Sequence, residues 1–305
     1  MNQYPPNESW SETQPTHTAQ TPEWAEPQSK RSCCGGCFWF LLAPATLLAF
    51  TFILYFLFPG RTNILIMGLD VREQDSYVGR TDTLILSTVE PWQPYTGMLS
   101  IPRDLWVTIP SVGENRVNTA HFFAETEQPG SGPNAAMLTV SSNFGVDVDY
   151  YVRIRFIGLL EVVDALGGIT VDLPDEITGA ISGDQQLDAE DALALVRDRA
   201  GSDDFFRMQR GQIFLKALLK NMLAPGNWLQ LPQVLEAFSE SVDTDIPIWL
   251  WPRLGLAVFR YGVENIDSRV ITRQMTIPFT TEGGAQVLAP NWDEINPVIL
   301  EIFDQ

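Results

Sequence analysis

Apolar and polar positions fall into two alternating regimes from residue 62 onward. Short runs rich in aliphatic and β-branched residues alternate with longer stretches of helical period. "NILIMGLD" (63–70), "DTLILSTVE" (82–90) and "MLSIPRD" (98–104) are short, apolar and bounded by turn residues, and each predicts a buried strand. The turn cluster "PWQPYTG" (91–97) separates the last two. "YYVRIRF" (150–156), "ITVDLP" (169–174) and "DSRVITR" (267–273) predict further strands. Helical patterning covers 133–144, 157–166, 189–196, 206–223, 232–242, 252–261 and 297–303, with proline or glycine punctuating several ends. Strands alternating with helices predict a layered α/β fold. Residues 61–224 carry the core pattern, and 225–305 are expected to pack on the same domain.

One block obeys neither regime. Phe38–Phe58 is a run of 21 residues without a charge. About 20 apolar residues span the hydrocarbon core of a bilayer. Lys30 and Arg31 flank its N-terminal side, so the positive-inside rule puts the N-terminus in the cytoplasm and the rest outside the cell membrane. A cleaved signal peptide is the rival reading, but the run starts late, is long, and no A-x-A site follows it. Residues 1–37 read as a disordered cytoplasmic tail, poor in aliphatics. All three cysteines, Cys33, Cys34 and Cys37, precede the span, so the outer domain holds neither disulfide nor thiol chemistry.

Charge then narrows the partners. The net charge of −19 and pI near 4.3 argue against nucleic acid, whose phosphates need a basic surface. Yet the outer domain's cations are 15 Arg and 2 Lys, and 11 of those Arg lie between Arg61 and Arg210. Solubility alone would be served as well by Lys. Arg is the residue for planar, bidentate recognition of phosphate and carboxylate.

If the first three strands form an antiparallel meander, Asp70, Arg80, Asp82, Arg103 and Asp104 gather at one sheet edge. Regular alternation would set Arg80 and Asp82 on a common face. Paired carboxylates at such an edge suit Mg²⁺, which takes one or two carboxylates plus phosphate oxygens. Surrounding arginines would neutralise a transferring phosphoryl group. Arg207 and Arg210 share a helical face, and Arg199 is expected just past the helix that carries Arg197. Other chemistries lack support. The chain has no Walker loop and no G-x-S-x-G elbow. His121 has no serine partner near it and reads as a structural or rim residue.

"NILIMGLDVR", "GRTDTLIL", "SIPRD", "DYYVRIRFIGLLEVVDALGGITVDLP", "ALALVRDR" and "DDFFRMQRGQ" occur in that order. Together they resemble the LytR-CpsA-Psr family of bacterial cell-envelope proteins, over about residues 62–223. The resemblance implies a central mixed β-sheet flanked by helices, preceded by one transmembrane helix. It implies an extracytoplasmic, Mg²⁺-dependent phosphotransferase that moves a glycopolymer from a polyprenyl-pyrophosphate carrier to peptidoglycan through a phosphodiester bond. By motif, Asp70 and Asp82 would serve the metal. Asp82, Arg80, Arg103 and Arg207 would be catalytic, and Arg197, Arg199, Arg210 and Gln212 would bind substrate. Helices 133–144 and 157–166 are the candidate walls of a groove for the polyprenyl chain. The chain departs from the family pattern in three places. Gly211 separates Arg210 from Gln212, "RVNTAHFFAE" lacks the usual small residues after its start, and Arg155 stands where an acid or amide is commoner. Two other functions use the same residues: hydrolysis of the carrier with water as acceptor, and non-catalytic sensing of lipid carriers.

Overall fold

The structure is a computed structural model that describes residues 34–57, 60–69, 71, 76–91, 95–174, 183–197 and 204–304. Most of the expected cytoplasmic tail, Asp70 and Arg199 lie outside the described residues. A helix, α1, covers Cys34–Leu57 with Pro44 inside it. Its side chains are described from Ala43, and those of Leu47, Leu48, Phe50 and Phe52 are exposed. Among the described residues no helix is long and apolar enough to cross a membrane.

Six strands form the central sheet of the remaining chain. They are β1 (Thr62–Leu69), β2 (Thr81–Glu90), β3 (Tyr95–Ile101), β6 (Tyr150–Arg155), β9 (Val242–Thr244) and β10 (Asp267–Val270). Their spatial order is β10-β3-β2-β1-β6-β9. The first three pair as an antiparallel meander. β6 runs parallel to β1 and β10 parallel to β3, so the sheet is mixed. Both outermost strands, β9 and β10, come from residues beyond 224.

Each strand reads as a nearly unbroken apolar run because the sheet is covered on both faces. Leu65, Met67, Leu84, Leu86, Leu99 and Ile101 point to one face. There they meet Ala136 and Val140 of α3 (Gly132–Phe144) and Ile295, Ile299 and Ile302 of α9 (Trp292–Phe303). Ile64, Ile85 and Met98, at the alternate positions, meet α8 (Trp251–Tyr261) on the other face. That second face also holds α4 (Phe156–Ala165), α5 (Ala189–Arg197), α6 (Asp204–Leu223) and α7 (Leu231–Ser241), packed about Val162, Ala192, Phe214 and Val234.

This two-face division corrects one expectation. The helices expected to wall a single groove, 133–144 and 157–166, lie on opposite faces of the sheet. Strand parity decides it, since α3 covers the odd-numbered positions of β1 and α4 the even ones. Instead, α4 lines a small apolar hollow with α5 and α6, bounded by Leu159, Val163, Ala192, Val196 and Phe214.

Three hairpin-like pairs decorate the sheet: β4–β5 (Trp106–Ile109, Gly113–Arg116), β7–β8 (Ile169–Leu173, Gly183–Leu187) and β11–β12 (Thr276–Thr280, Gln286–Pro290). One helix, α2 (Thr119–Glu127), has no counterpart in the sequence reading. The final helix begins five residues earlier than expected, at Trp292, and carries Pro297 inside it.

Candidate functional site

The topology sends five strand ends to one edge. β1 ends there at Leu69, β2 begins there at Thr81, and β3, β6 and β10 end there at Ile101, Arg155 and Val270. The segments that carry Arg80, Asp82, Arg103 and Asp104 adjoin these ends.

β2 enters the sheet through an irregularity. Gly68 faces Thr83, but the next residue of β1, Leu69, faces Thr81, so Asp82 is an extra residue without a cross-strand partner. Such a bulge takes one side chain off the alternating pattern. Arg80 lies before the strand and is exposed. The bulge, rather than a regular pleat shared with Arg80, therefore aims Asp82.

Asp82 Oδ1 accepts a hydrogen bond from Arg103 Nη1 at 2.8 Å, and both side chains keep about a quarter of their surface open, 22% and 25%. Asp104 continues the row, 3.4 Å from Arg103 Nε and 3.1 Å from Arg116 Nε. Asn118 ties these strand ends together through its backbone. Its N–H donates to the Arg103 carbonyl at 3.3 Å and its carbonyl accepts from the Thr81 N–H at 3.4 Å.

Helix α6 crosses above this point. A Cβ placed on Gly211 would lie 3.9 Å from Thr83 Cγ2, which seats Gly211 on the start of β2. Arg207 is one turn earlier on the same helical face. Arg210 and Gln212 are buried. Gln212 Nε2 donates to the Arg269 carbonyl of β10 at 2.7 Å, so its amide holds α6 to the sheet. Arg197, at the end of α5, lies 6.0 Å from the Phe156 ring. Phe156 in turn packs on Gly68, where a Cβ would come within 2.8 Å of the ring. Any larger residue at 68 would push that ring off the strand end.

Arg273 belongs to the same edge and was missed in the sequence. Ile271 N–H donates to the Ser100 carbonyl at 3.1 Å, extending the parallel pairing of β10 beyond Val270. Arg273 follows, with its guanidinium 5.7 Å from the ring of Phe205 on α6. Its sequence context holds no signal, because only the parallel seat of β10 beside β3 brings it there.

Beneath the edge lies a buried ionic cluster built on Arg153 of β6. Its Nη1 is 3.1 Å from Glu125 Oε2 and 3.1 Å from His121 Nε2, and its Nη2 is 2.7 Å from Asp243 Oδ2. The Tyr77 ring covers the guanidinium at 3.8 Å, a cation–π contact. His121 Nδ1 is 3.1 Å from the Gly79 carbonyl. A carbonyl only accepts, so Nδ1 carries the proton and Nε2 accepts from Arg153. Burial lowers the His121 pKa to about 4, with the Arg153 charge adding to the effect against the Gly79 hydrogen bond. Burial would raise the Glu125 pKa, but N–H donation from Gly130 and Gly132 and the Arg153 charge outweigh it and hold the carboxyl below its ordinary value. A Cβ on Gly132 would come within 2.7 Å of both Glu125 and His121, so glycine is needed there for close approach. Tyr77 and Gly79 bracket the residues just before Arg80. The cluster thus anchors the segment that presents Arg80 and Asp82.

The LytR_cpsA_psr family model matches residues 58–298, a stretch that contains the whole sheet and every residue of this edge. The chain belongs to the LytR_cpsA_psr family. It is 32% identical over 190 residues to the polyisoprenyl-teichoic acid–peptidoglycan teichoic acid transferase TagU of Oceanobacillus iheyensis, covering 60% of this chain and 58% of that protein. It is 32% identical over 227 residues to TagU of Halalkalibacterium halodurans, covering 70% of each chain. The crystal structure of Bacillus subtilis TagV superposes with a TM-score of 0.64 at 27% identity, covering 80% of this chain and 97% of that one. A structure of TagT bound to LIIa-WTA shares the fold, with a TM-score of 0.60 at 21% identity over 80% of this chain and 91% of that one.

The places where this LytR_cpsA_psr chain departs from the family pattern have local structural roles. Arg155 Nη2 donates to the Glu240 carbonyl at 2.9 Å, and its guanidinium lies 5.2 Å from the Tyr77 ring. Residues 121 and 125, within "HFFAE", supply the two partners of Arg153 Nη1. Gly211 sits where α6 meets Thr83, and Gln212 reaches past it to β10.

Proposed function

We propose that this chain is a membrane-anchored phosphotransferase that moves a glycopolymer from a polyprenyl-pyrophosphate carrier to a peptidoglycan hydroxyl outside the cell membrane. The observation that carries the reading is the bulged, partly open Asp82 paired with Arg103 at 2.8 Å, at an edge where cations arrive from several elements. Its relatives are named as transferases of polyisoprenyl-linked teichoic acid to peptidoglycan, which supports the same acceptor class here.

The chemistry follows from the charges. A pyrophosphate brings several negative oxygens to an edge that must neutralise them. Arg80, Arg103, Arg207 and Arg273 face that task, and each charge-assisted hydrogen bond contributes roughly 1.5–3 kcal/mol. The acceptor hydroxyl attacks the phosphorus that bears the glycan. A new P–O bond forms, the P–O–P bridge breaks, polyprenyl phosphate leaves, and the hydroxyl proton passes to solvent. Arginines fixed before the reaction stabilise the charge that builds on the leaving phosphate. The Arg153 cluster keeps the Arg80–Asp82 segment in place through the reaction. Arg197, at the end of α5, extends the cationic rim. We place the polyprenyl chain on the apolar α4–α5–α6 side of the sheet.

The donor set suits Mg²⁺ of one kind only. Among the described residues no three His, Cys, Asp or Glu form a cluster. Mg²⁺ commonly takes one or two carboxylates and completes its shell with substrate phosphates and water. Asp82, with Asp70 next to the end of β1, would hold it, and the ion would neutralise phosphate charge. Residues 38–58 would anchor the domain to the membrane.

The test uses the full chain in lipid nanodiscs, a short-chain polyprenyl-pyrophosphate oligosaccharide and peptidoglycan fragments, with and without Mg²⁺. Mass spectrometry follows the phosphate. A phosphodiester-linked conjugate that disappears in Asp82→Asn is the expected result. That variant should lose turnover at least a hundredfold while keeping its melting temperature within a few degrees, because a partly exposed ion pair contributes only about 1 kcal/mol. Carrier hydrolysis without conjugate, or full activity in Asp82→Asn, would overturn the assignment.

A further inference from the structure

The chain has 38 acidic residues, yet residues 246–262, "IPIWLWPRLGLAVFRYG", contain none and carry Arg253 and Arg260. α8 occupies most of this segment. Leu254, Ala257 and Val258 bury one face of it against the sheet. The outward face is apolar as well. Ile248 and Trp249, in the turn before the helix, are 82% and 65% exposed, and Leu256 and Phe259 are 42% and 54% exposed. Leu256 and Phe259 are three residues apart and share one face of α8, and Ile248 and Trp249 stand exposed in the turn that leads into it. A surface helix of a water-soluble domain places polar side chains at such positions. This patch is flanked by the exposed Arg260 and the partly exposed Arg253.

Its position in the chain's path supplies the second observation. Arg253 Nη2 donates to the Gly60 carbonyl at 2.9 Å. The Tyr55 hydroxyl donates to the Trp249 carbonyl, and the Arg253 guanidinium lies 6.0 Å from the Tyr55 ring. Gly60 follows the uncharged run 38–58 by two residues. The patch therefore adjoins the point at which the chain leaves that run.

We infer that the Ile248–Trp249–Leu256–Phe259 patch rests in the headgroup region of an anionic lipid leaflet. This inference rests on the reading of 38–58 as a membrane span. Trp and Phe bury their rings at the boundary between headgroups and acyl chains, while Arg stems extend along the same surface and place their charge among lipid phosphates. Residues 246–262 carry no acid to repel lipid phosphates, and the exposed Asp245 and Glu264 lie outside the segment at its two ends. A catalytic domain held this way has a fixed tilt toward the bilayer, and its carrier keeps its tail in lipid.

The experiment labels the full chain at single cysteines after Cys33→Ser, Cys34→Ser and Cys37→Ser. An environment-sensitive fluorophore is placed by Leu256→Cys on the patch, by Leu48→Cys in the apolar run, or by Thr280→Cys on exposed β11. The proteins are reconstituted in nanodiscs of phosphatidylglycerol and phosphatidylethanolamine, with lipids brominated near the headgroup end of the acyl chain to read positions 256 and 280 and near its methyl end to read position 48. We expect blue-shifted emission at 256 and at least twofold stronger quenching there than at 280, reduced when phosphatidylcholine replaces phosphatidylglycerol. Water-like emission at 256 matching that at 280, with 48 still quenched, overturns the inference and leaves the anchor intact. A blue shift at 256 without quenching shows the patch covered by protein, such as a second copy, and also overturns it. Absence of quenching at 48 overturns the anchor reading by itself, independently of the signal at 256.

Discussion

Arg153→Met removes the centre of the buried cluster without changing the length of the side chain much. The side chains of Arg153 and Glu125 are each only 5% exposed, so Glu125 would be left as a buried carboxylate with two backbone donors and no cation. Breaking a buried ion pair by deleting one partner costs about 3–5 kcal/mol. Asp243 is 34% exposed, and rehydration limits its share to the surface range of about 0.2–1 kcal/mol. The total therefore stays near 3–5 kcal/mol. For a domain of this size each kcal/mol shifts the melting temperature by about 2–4 °C, so the drop should be roughly 6–20 °C. Urea denaturation followed by tryptophan fluorescence, supported by calorimetry, measures it. A cycle with Glu125→Gln separates the pair from its surroundings. The double variant should recover at least about 1 kcal/mol relative to the sum of the two singles. Turnover at a temperature where the variant is folded should also fall, because Tyr77 loses the cation beneath its ring and the segment before Arg80 loosens. A loss of less than about 1 kcal/mol, or strict additivity in the cycle, would refute the picture of a buried, coupled network.

Acid should attack the same cluster through His121. Its folded pKa of about 4 lies below the unfolded value of 6.5, so the unfolded chain takes up the proton first. Stability should fall as pH drops below about 6.5 and level off near 4 for this group, a loss of about 3 kcal/mol, read as the shift of the urea midpoint with pH. Glu125 adds loss in the same direction as pH falls from its ordinary 4.5 toward its lowered folded pKa. Gly68→Ala should destabilise by about 1–3 kcal/mol, since its Cβ would come within 2.8 Å of the Phe156 ring and 3.1 Å of Thr83 Cβ; an unchanged melting temperature would show that the ring yields freely. Arg273→Ala should slow transfer roughly 10–100-fold, the rate equivalent of one charge-assisted hydrogen bond, with little change in stability. Wild-type kcat/KM in that variant would remove Arg273 from the site.

The local grammar of the chain was legible without coordinates. Apolar runs bounded by turns located β1, β2 and β6 almost to the residue, because a sheet covered on both faces leaves each strand apolar at odd and even positions alike. The meander placed Asp82 and Arg103 at one edge, since antiparallel neighbours must exchange ends. His121 was recognisable as a structural or rim residue from its lack of a nucleophile nearby. What sequence could not reveal depended on non-local pairing. The bulge that frees Asp82 is a register step between two strands, and no single strand encodes it. The parallel seat of β10 beside β3, which brings Arg273 to the edge, joins residues about 170 positions apart. The Arg153 cluster draws on Glu125, His121, Tyr77 and Asp243 from three separate segments. Composition and periodicity set which residues are buried, because burial follows from local apolar content; which charges meet is decided only when distant elements close on one another.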